Sequence, residues 1–232
     1  MRNSRKSNNI RDIRITPDFC PRAAGSLLFE MGNTRIICAA SLSEDVPDHA
    51  ASRGKGWLTA EYSMLPYSTS PRTGRPLMKK DGRSVEIQRL IGRSLRGIVD
   101  LETLAGYSIT IDCDVLQADG GTRTASISGG FIALKMCIEK MLADKLLTEN
   151  PIKTNVAAVS VGIIDGETML DLDYAEDSRA DVDMNVVMDG TGSFIEVQGT
   201  GEGSTFSREE MDSIIDLAAQ GIKDIIEIQN RY

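Results

Sequence analysis

The order of patterned segments predicts an α+β fold, with mixed sheets and helices packed on them rather than a doubly wound parallel sheet. Three observations point there. Short strand-like runs fill the first third of the chain. Two long helical patterns follow, with a single strand between them. Two hairpin-like pairs then precede a terminal helix.

The elements follow in order. Residues 12–16 alternate apolar and polar side chains, as a half-buried strand does. Residues 26–31 and 34–41 are rich in Leu, Ile and Phe, and Gly32-Asn33 between them suits a hairpin turn. Residues 57–65 form another strand. Residues 66–82 hold Pro66, Pro71, Pro76, Gly74 and Gly82 together with Arg72, Arg75, Lys79 and Lys80. Without apolar periodicity, this is an exposed, mobile basic loop. Residues 84–101 read as a helix: Ile87, Leu90, Ile91, Ser94, Leu95 and Ile98 share one face, and Arg89, Arg93 and Arg96 share the other. Residues 107–116 are a strand. A second helix runs to about residue 147, capped by Thr122 or Thr124, with Gly129-Gly130 allowing close approach to another element. Hairpins are expected at 156–164 with 168–174, around Asp165-Gly166, and at 182–188 with 194–198. Ser207 and Glu210 form a capping box for a last helix over 207–228. The whole reads as one domain over 1–232 with a flexible N-terminal tail at about 1–10, since no linker divides it.

Composition narrows the function. The chain has 232 residues, 41% hydrophobic and 26% charged, ordinary for a soluble globular protein. No apolar run reaches the ~20 residues of a membrane span, and the basic start lacks the apolar stretch of a secretory signal. A cytoplasmic location is expected. Cys20, Cys38, Cys113 and Cys137 show no C-x-x-C spacing and read as reduced thiols. His49 is the single histidine, so a multi-histidine metal site is excluded, and a surface imidazole is expected. The net charge is −8, but residues 1–96 hold 17 basic and 9 acidic residues against 9 and 25 in 97–232. Such polarity suits a polyanion-facing surface beside an acidic part, or two solvated faces of opposite sign.

Four constellations can carry chemistry. Asp119-Gly120-Gly121-Thr122-Arg123-Thr124 lies between a strand and a helix. There the free N–H groups and dipole of a helix start favour an anion, and Arg123 adds a planar fork suited to phosphate oxygens. A plain glycine turn before a helix fits the same pattern. Arg83 stands at the start of the preceding helix, where a cation opposes the dipole. An anion between it and the helix end would resolve the conflict, as would a solvated side chain. The acidic stretch 171–185 places Asp181 and Asp183 on one strand face, with Asp177 in the preceding turn. These carboxylates suit Mg²⁺ or proton donation, or simply a solvated acidic edge. Arg72 and Arg75 suit an RNA backbone, while Arg89, Arg93 and Arg96 suit the acidic half of another subunit.

Six stretches carry a resemblance. Residues 56–66 (GWLTAEYSMLP), 86–95 (EIQRLIGRSL), 111–127 (IDCDVLQADGGTRTASI), 171–178 (DLDYAEDS), 183–188 (DMNVVM) and 196–200 (EVQGT) together resemble the ribonuclease PH family. The match runs from about Arg11 to Ile222, in order. The resemblance implies a ribosomal-protein-S5-domain-2-like βαβ fold, mixed sheets with packed helices, and a ring built as a trimer of dimers. It implies phosphate-dependent removal of nucleotides from RNA 3′ ends, tRNA precursors in particular, with rRNA a further substrate. It implies that Arg83, Gly121, Thr122 and Arg123 bind phosphate and that Asp177 and Asp183 form the catalytic, Mg²⁺- or Mn²⁺-binding pair. Arg72 and Arg75 would grip RNA, with Tyr67 standing where the family usually has Arg. A hydrolytic metal-dependent nuclease and a silent RNA-binding ring subunit are the alternatives.

Overall fold

Two sheets with a helix between them organise the chain. The computed structural model describes Arg2, residues 5–75 and residues 81–232. Pro76, Lys79 and Lys80 of the expected basic loop, and Met1, Asn3 and Ser4 of the expected tail, lie outside the described residues.

The first sheet runs β1-β2-β3-β5-β4, from β1 (Ile13–Pro17), β2 (Gly25–Met31), β3 (Thr34–Ser43), β4 (Trp57–Met64) and β5 (Ser108–Gln117). Its pairs are antiparallel except β4 with β5, which run parallel. A parallel pair needs a crossover, and α2 (Gly82–Gly97) lies on the path between them. The second sheet is antiparallel, ordered β7-β6-β8-β9, from β6 (Val156–Ile164), β7 (Glu167–Leu170), β8 (Val182–Asp189) and β9 (Phe194–Gly201). The mixed α+β architecture is as expected. A short α1 (Asp48–Ala51) carries His49, exposed and edge-on to Trp57 at 4.6 Å.

Between the sheets runs α3 (Thr122–Ala143), which packs on β2, β3 and β5 on one side and on β6 on the other. A helix apolar all round is a buried one, and the expected stripe of Ile127, Phe131, Leu134, Ile138 and Met141 is only part of its covered surface. Ala125, Ser126, Ser128 and Ile132 are buried too. Gly129 permits this, because a Cβ there would lie 2.8 Å from Cys38 Sγ and 3.0 Å from Phe29 Cβ. The outer helix α5 (Arg208–Gln229) starts at the expected Ser207–Glu210 capping box and covers β6, β7 and β8. One apolar core includes Phe29, Ile91, Phe131, Val159 and Ile222, so it reaches across both sheets.

Several boundaries differ from expectation. The first long helix ends at Gly97, because 98–101 leave it to pair near residue 152. The second long helix ends at Ala143. Its N-cap is Gly121, in a left-handed conformation at φ 64°, and no side chain caps it, so the threonine cap is corrected. The strand expected over 168–174 stops at Leu170. Asp171 at φ 54° turns the chain into α4 (Tyr174–Asp177). Of the helix arginines, Arg93 pairs with Glu196 and Arg96 lies over Trp57 at 5.1 Å, both contacts within the chain.

The expected loose N-terminal tail is corrected for the described residues. Leu170 N donates to Ser7 O at 2.8 Å, and Arg2 and Arg5 pair with Glu176 at 2.7 and 3.1 Å. Arg11, itself buried, pairs with Asp171, which is only 1% exposed. Part of the basic charge of this segment is therefore spent inside the protein.

Candidate active site

A cavity of about 990 Å³ lies where the two sheets meet at the start of α3. Arg83, Gly121, Thr122, Arg123, Asp177 and Asp183, scattered over 100 residues of sequence, all line it.

The start of α3 forms one wall. Gly120 and Gly121 take φ of 71° and 64°, and a Cβ on Gly120 would lie 2.4 Å from Leu172 O. Glycine is required here by both backbone conformation and space. With no side-chain cap, the first N–H groups of α3 remain available to an anion. The Thr122 hydroxyl is 2.9 Å from the buried Tyr62 OH. Burial raises the tyrosine pKa, so the phenol stays protonated. Arg123 Nη1 donates to Gln198 Oε1 at 2.6 Å and lies 3.4 Å from Glu86 Oε1.

Arg83 reaches the same cavity from α2. Asp81 caps that helix, accepting from Ser84 N at 2.8 Å and Ser84 Oγ at 2.7 Å. An anion held between Arg83 and the helix end is therefore corrected, since a carboxylate of the chain already serves there. The charge of Arg83 is felt across the cavity, by Asp177 and Asp183.

The acidic wall comes from the second sheet. Asp177 ends α4, whose Asp173–Glu176 capping box fixes it, and Asp183 sits early in β8. Burial raises the Asp177 pKa against the pull of Arg83 and Arg123. Burial, then the neighbouring charge of Asp177, lifts Asp183 to about 6. Asp183 Oδ1 is buried with no hydrogen-bond partner among the described residues, and such an atom is completed by a proton or a cation. The cavity pair is thus Asp177 with Asp183. Asp181 is exposed and does not line the cavity. Among the described residues, no three His, Cys, Asp or Glu side chains converge as a ligand set.

Arg72 and Arg75 are exposed on the loop at the rim and do not line the cavity, although Thr69, Ser70, Pro71 and Thr73 of the same loop do. Single-residue reasoning missed Gln198, Glu202, Tyr62 and Arg11. Gln198 and Tyr62 stood inside the resembling stretches, but their partners are 75 and 60 residues away. Glu202 lines the cavity and raises both aspartates.

The domain 1 model of the 3′ exoribonuclease family matches residues 9–138, and the domain 2 model matches 154–221. The chain belongs to the 3′ exoribonuclease family. It is 52% identical over 231 residues to the ribonuclease PH of Neisseria meningitidis serogroup C, covering 99% of this chain and 96% of that protein. Ribonuclease PH of Neisseria gonorrhoeae matches at the same identity and coverage. In fold the chain is similar to rice Rrp46, with a TM-score of 0.82 at 19% identity, covering 99% of this chain and 98% of that one. The two family segments correspond to the two sheets; Arg83, Gly121, Thr122 and Arg123 lie in the first, Asp177 and Asp183 in the second.

Proposed function

We propose that the chain is a phosphorolytic 3′→5′ exoribonuclease that trims tRNA precursors. One observation carries the reading: an uncapped helix start with Arg83 and Arg123 shares a cavity with Asp177 and Asp183. The family relationship and the 52% identity to ribonuclease PH proteins support it.

Inorganic phosphate is held by Arg83, Arg123 and the amides of Gly121 and Thr122. The arginines screen its charge, which otherwise repels the scissile phosphodiester. A phosphate oxygen attacks the phosphorus of the terminal linkage, and the bond from that phosphorus to the 3′ oxygen breaks. The products are a nucleoside 5′-diphosphate and RNA one nucleotide shorter. A phosphodiester is exchanged for a pyrophosphate bond of similar energy, so the reaction runs both ways. Asp183, lifted to about 6 by burial and by the charge of Asp177, can carry the proton taken up by the leaving 3′ oxygen when no cation is bound to it.

Asp177 and Asp183 also fit a divalent cation, Mg²⁺ or Mn²⁺. Both offer hard oxygen donors, and Asp183 Oδ1 lacks a partner. Asp177 and the ionised form of Asp183 would hold such an ion, which would supply charge stabilisation to the transferring phosphoryl group. Arg72 and Arg75 at the rim grip RNA in this reading. A cytoplasmic hexameric ring, a trimer of dimers, completes it. A solved Archaeoglobus fulgidus exosome with RNA bound to its active site shares the fold, at TM-score 0.78 and 22% identity over 97% of this chain and 90% of that one.

The test is a product assay on short RNA labelled in its 3′-terminal nucleotide, with Mg²⁺ and with or without phosphate. Nucleoside diphosphates only when phosphate is present are expected. Monophosphates without phosphate would mean hydrolysis, and no products would mean a silent ring subunit.

A further inference from the structure

Beneath the wall formed by Gly120 and Gly121 lies a buried cation that does not line the cavity. The Arg11 guanidinium takes Asp171 from two sides. Nε donates to Oδ2 at 2.9 Å and Nη2 donates to Oδ1 at 2.6 Å, while the Arg11 backbone N–H also donates to Oδ2 at 2.7 Å. The charge of Arg11 is thereby matched by a carboxylate that is 1% exposed. What remains of the fork is turned on the loop: Nη1 donates to Asp119 O, and Nη2 lies 3.5 Å from Gly120 O. The Thr34 hydroxyl holds the same loop from β3. It donates to Gly120 O at 2.7 Å and accepts from Asp119 N at 3.1 Å.

These contacts fix an orientation. The 120–121 peptide is trans, so its C=O and N–H point in opposite directions. Drawing Gly120 O back towards Thr34 and Arg11 turns the Gly121 N–H the other way. Gly121 itself lines the cavity, and its missing Cβ would be 3.0 Å from Arg11 Nη2, so the guanidinium sits directly behind it.

We infer that Arg11 and Thr34 are positioning residues for the phosphate site: by holding the Asp119 and Gly120 carbonyls, they aim the amides at the start of α3 into the cavity. This rests on the reading of that helix start as the phosphate site. Neither residue touches the substrate. Their effect is on the affinity for phosphate and not on the grip on RNA, which enters from the rim.

Two variants test this. Arg11→Lys keeps a cation for Asp171 but loses the fork that reaches both carbonyls. Thr34→Val keeps the shape and loses the hydroxyl. Each should raise the KM for inorganic phosphate roughly tenfold, with kcat at saturating phosphate and the KM for RNA each changed less than about threefold. Arg123→Ala is run beside them, with thermal unfolding as the check on folding. If Arg11→Lys fails to fold, Thr34→Val alone decides. If Arg123→Ala raises the phosphate KM while the folded positioning variants leave it unchanged, the inference is overturned and the site stands. If phosphate and RNA KM rise together in the positioning variants, the damage is general and the inference is again overturned. If Arg123→Ala has no effect on phosphate, the site reading falls, and the inference with it.

Discussion

Arg123 is held to the protein by one nitrogen: Nη1 donates to Gln198 Oε1 at 2.6 Å and faces Glu86 at 3.4 Å, while Nε and Nη2 have no partner among the described residues. A guanidinium fixed at one corner presents its other N–H groups in a set direction. Arg123→Ala should therefore raise the phosphate KM about 10- to 100-fold, the weight of a charge-assisted hydrogen bond, with little change in RNA affinity. Gln198→Leu should give a smaller rise, roughly threefold, because the arginine stays but loses its anchor. Initial rates against phosphate concentration measure both.

Asp183 makes stability depend on pH. Its folded pKa, about 6, is above the ordinary 3.8, so between those values the folded state binds more protons than the unfolded state. Stability from this group is thus full below about pH 4, declines as pH rises, and reaches its full penalty above pH 6. Asp183→Asn should unfold at a higher temperature than the parent at pH 8, by a margin worth about 2 kcal/mol, and lose that advantage towards pH 4. Its activity should be abolished at both pH values. Thermal melts across pH 4–8 read the crossover.

Tyr62 supports Thr122 from below, hydroxyl to hydroxyl at 2.9 Å. Tyr62→Phe leaves the buried ring in place and removes one hydrogen bond. A loss of about 1 kcal/mol in unfolding free energy is expected. The freed threonine hydroxyl should raise the phosphate KM by roughly two- to threefold. Urea titration and the phosphate dependence of the rate follow the two effects separately.

Glu176 ties the start of the chain to α4, receiving Arg2 at 2.7 Å and Arg5 at 3.1 Å with side-chain exposures of 9% and 17%. Glu176→Gln removes the charge but can still accept from Asp173 N. Trypsin should then cut at Arg5 or Lys6 under conditions where the parent resists. A stability loss of roughly 2 kcal/mol should accompany it, since part-buried Arg2 loses its carboxylate and Arg5 keeps only Asp171 at 3.5 Å. Mass spectrometry of the early digest identifies the site.

Local patterns made the strands, the three long helices and the Ser207–Glu210 cap legible, since periodicity and capping act within a few residues. The candidate site was legible as a list of residues because the six resembling stretches contain Gly121, Thr122, Arg123, Asp177 and Asp183, leaving only Arg83 of the expected cavity residues outside them. What could not be read was how those residues are held. Thr122 looks like a helix cap by position, yet its hydroxyl faces Tyr62. Residues 1–10 look like a loose basic tail, yet Arg2 and Arg5 serve carboxylates 166 or more residues away. Arg83 looks like a misfit at a helix start, and Asp81, two residues before it, is the cap that removes the misfit. In each case the deciding partner is non-local, or is a neighbour whose role shows only in three dimensions.

The placement of α3 has a consequence for cutting the chain. Its outer faces serve both sheets, and the stretch 144–155 after it leads straight into β6. A fragment starting at β6 would carry Asp177 and Asp183 but expose the apolar strand face that α3 covers. A fragment ending at Ala143 would carry Arg83 and Arg123 and no acidic wall. Neither piece alone could turn over RNA, whereas the two expressed together would recover activity only upon re-docking. Split at this point, the enzyme would become a reporter of its own reassembly.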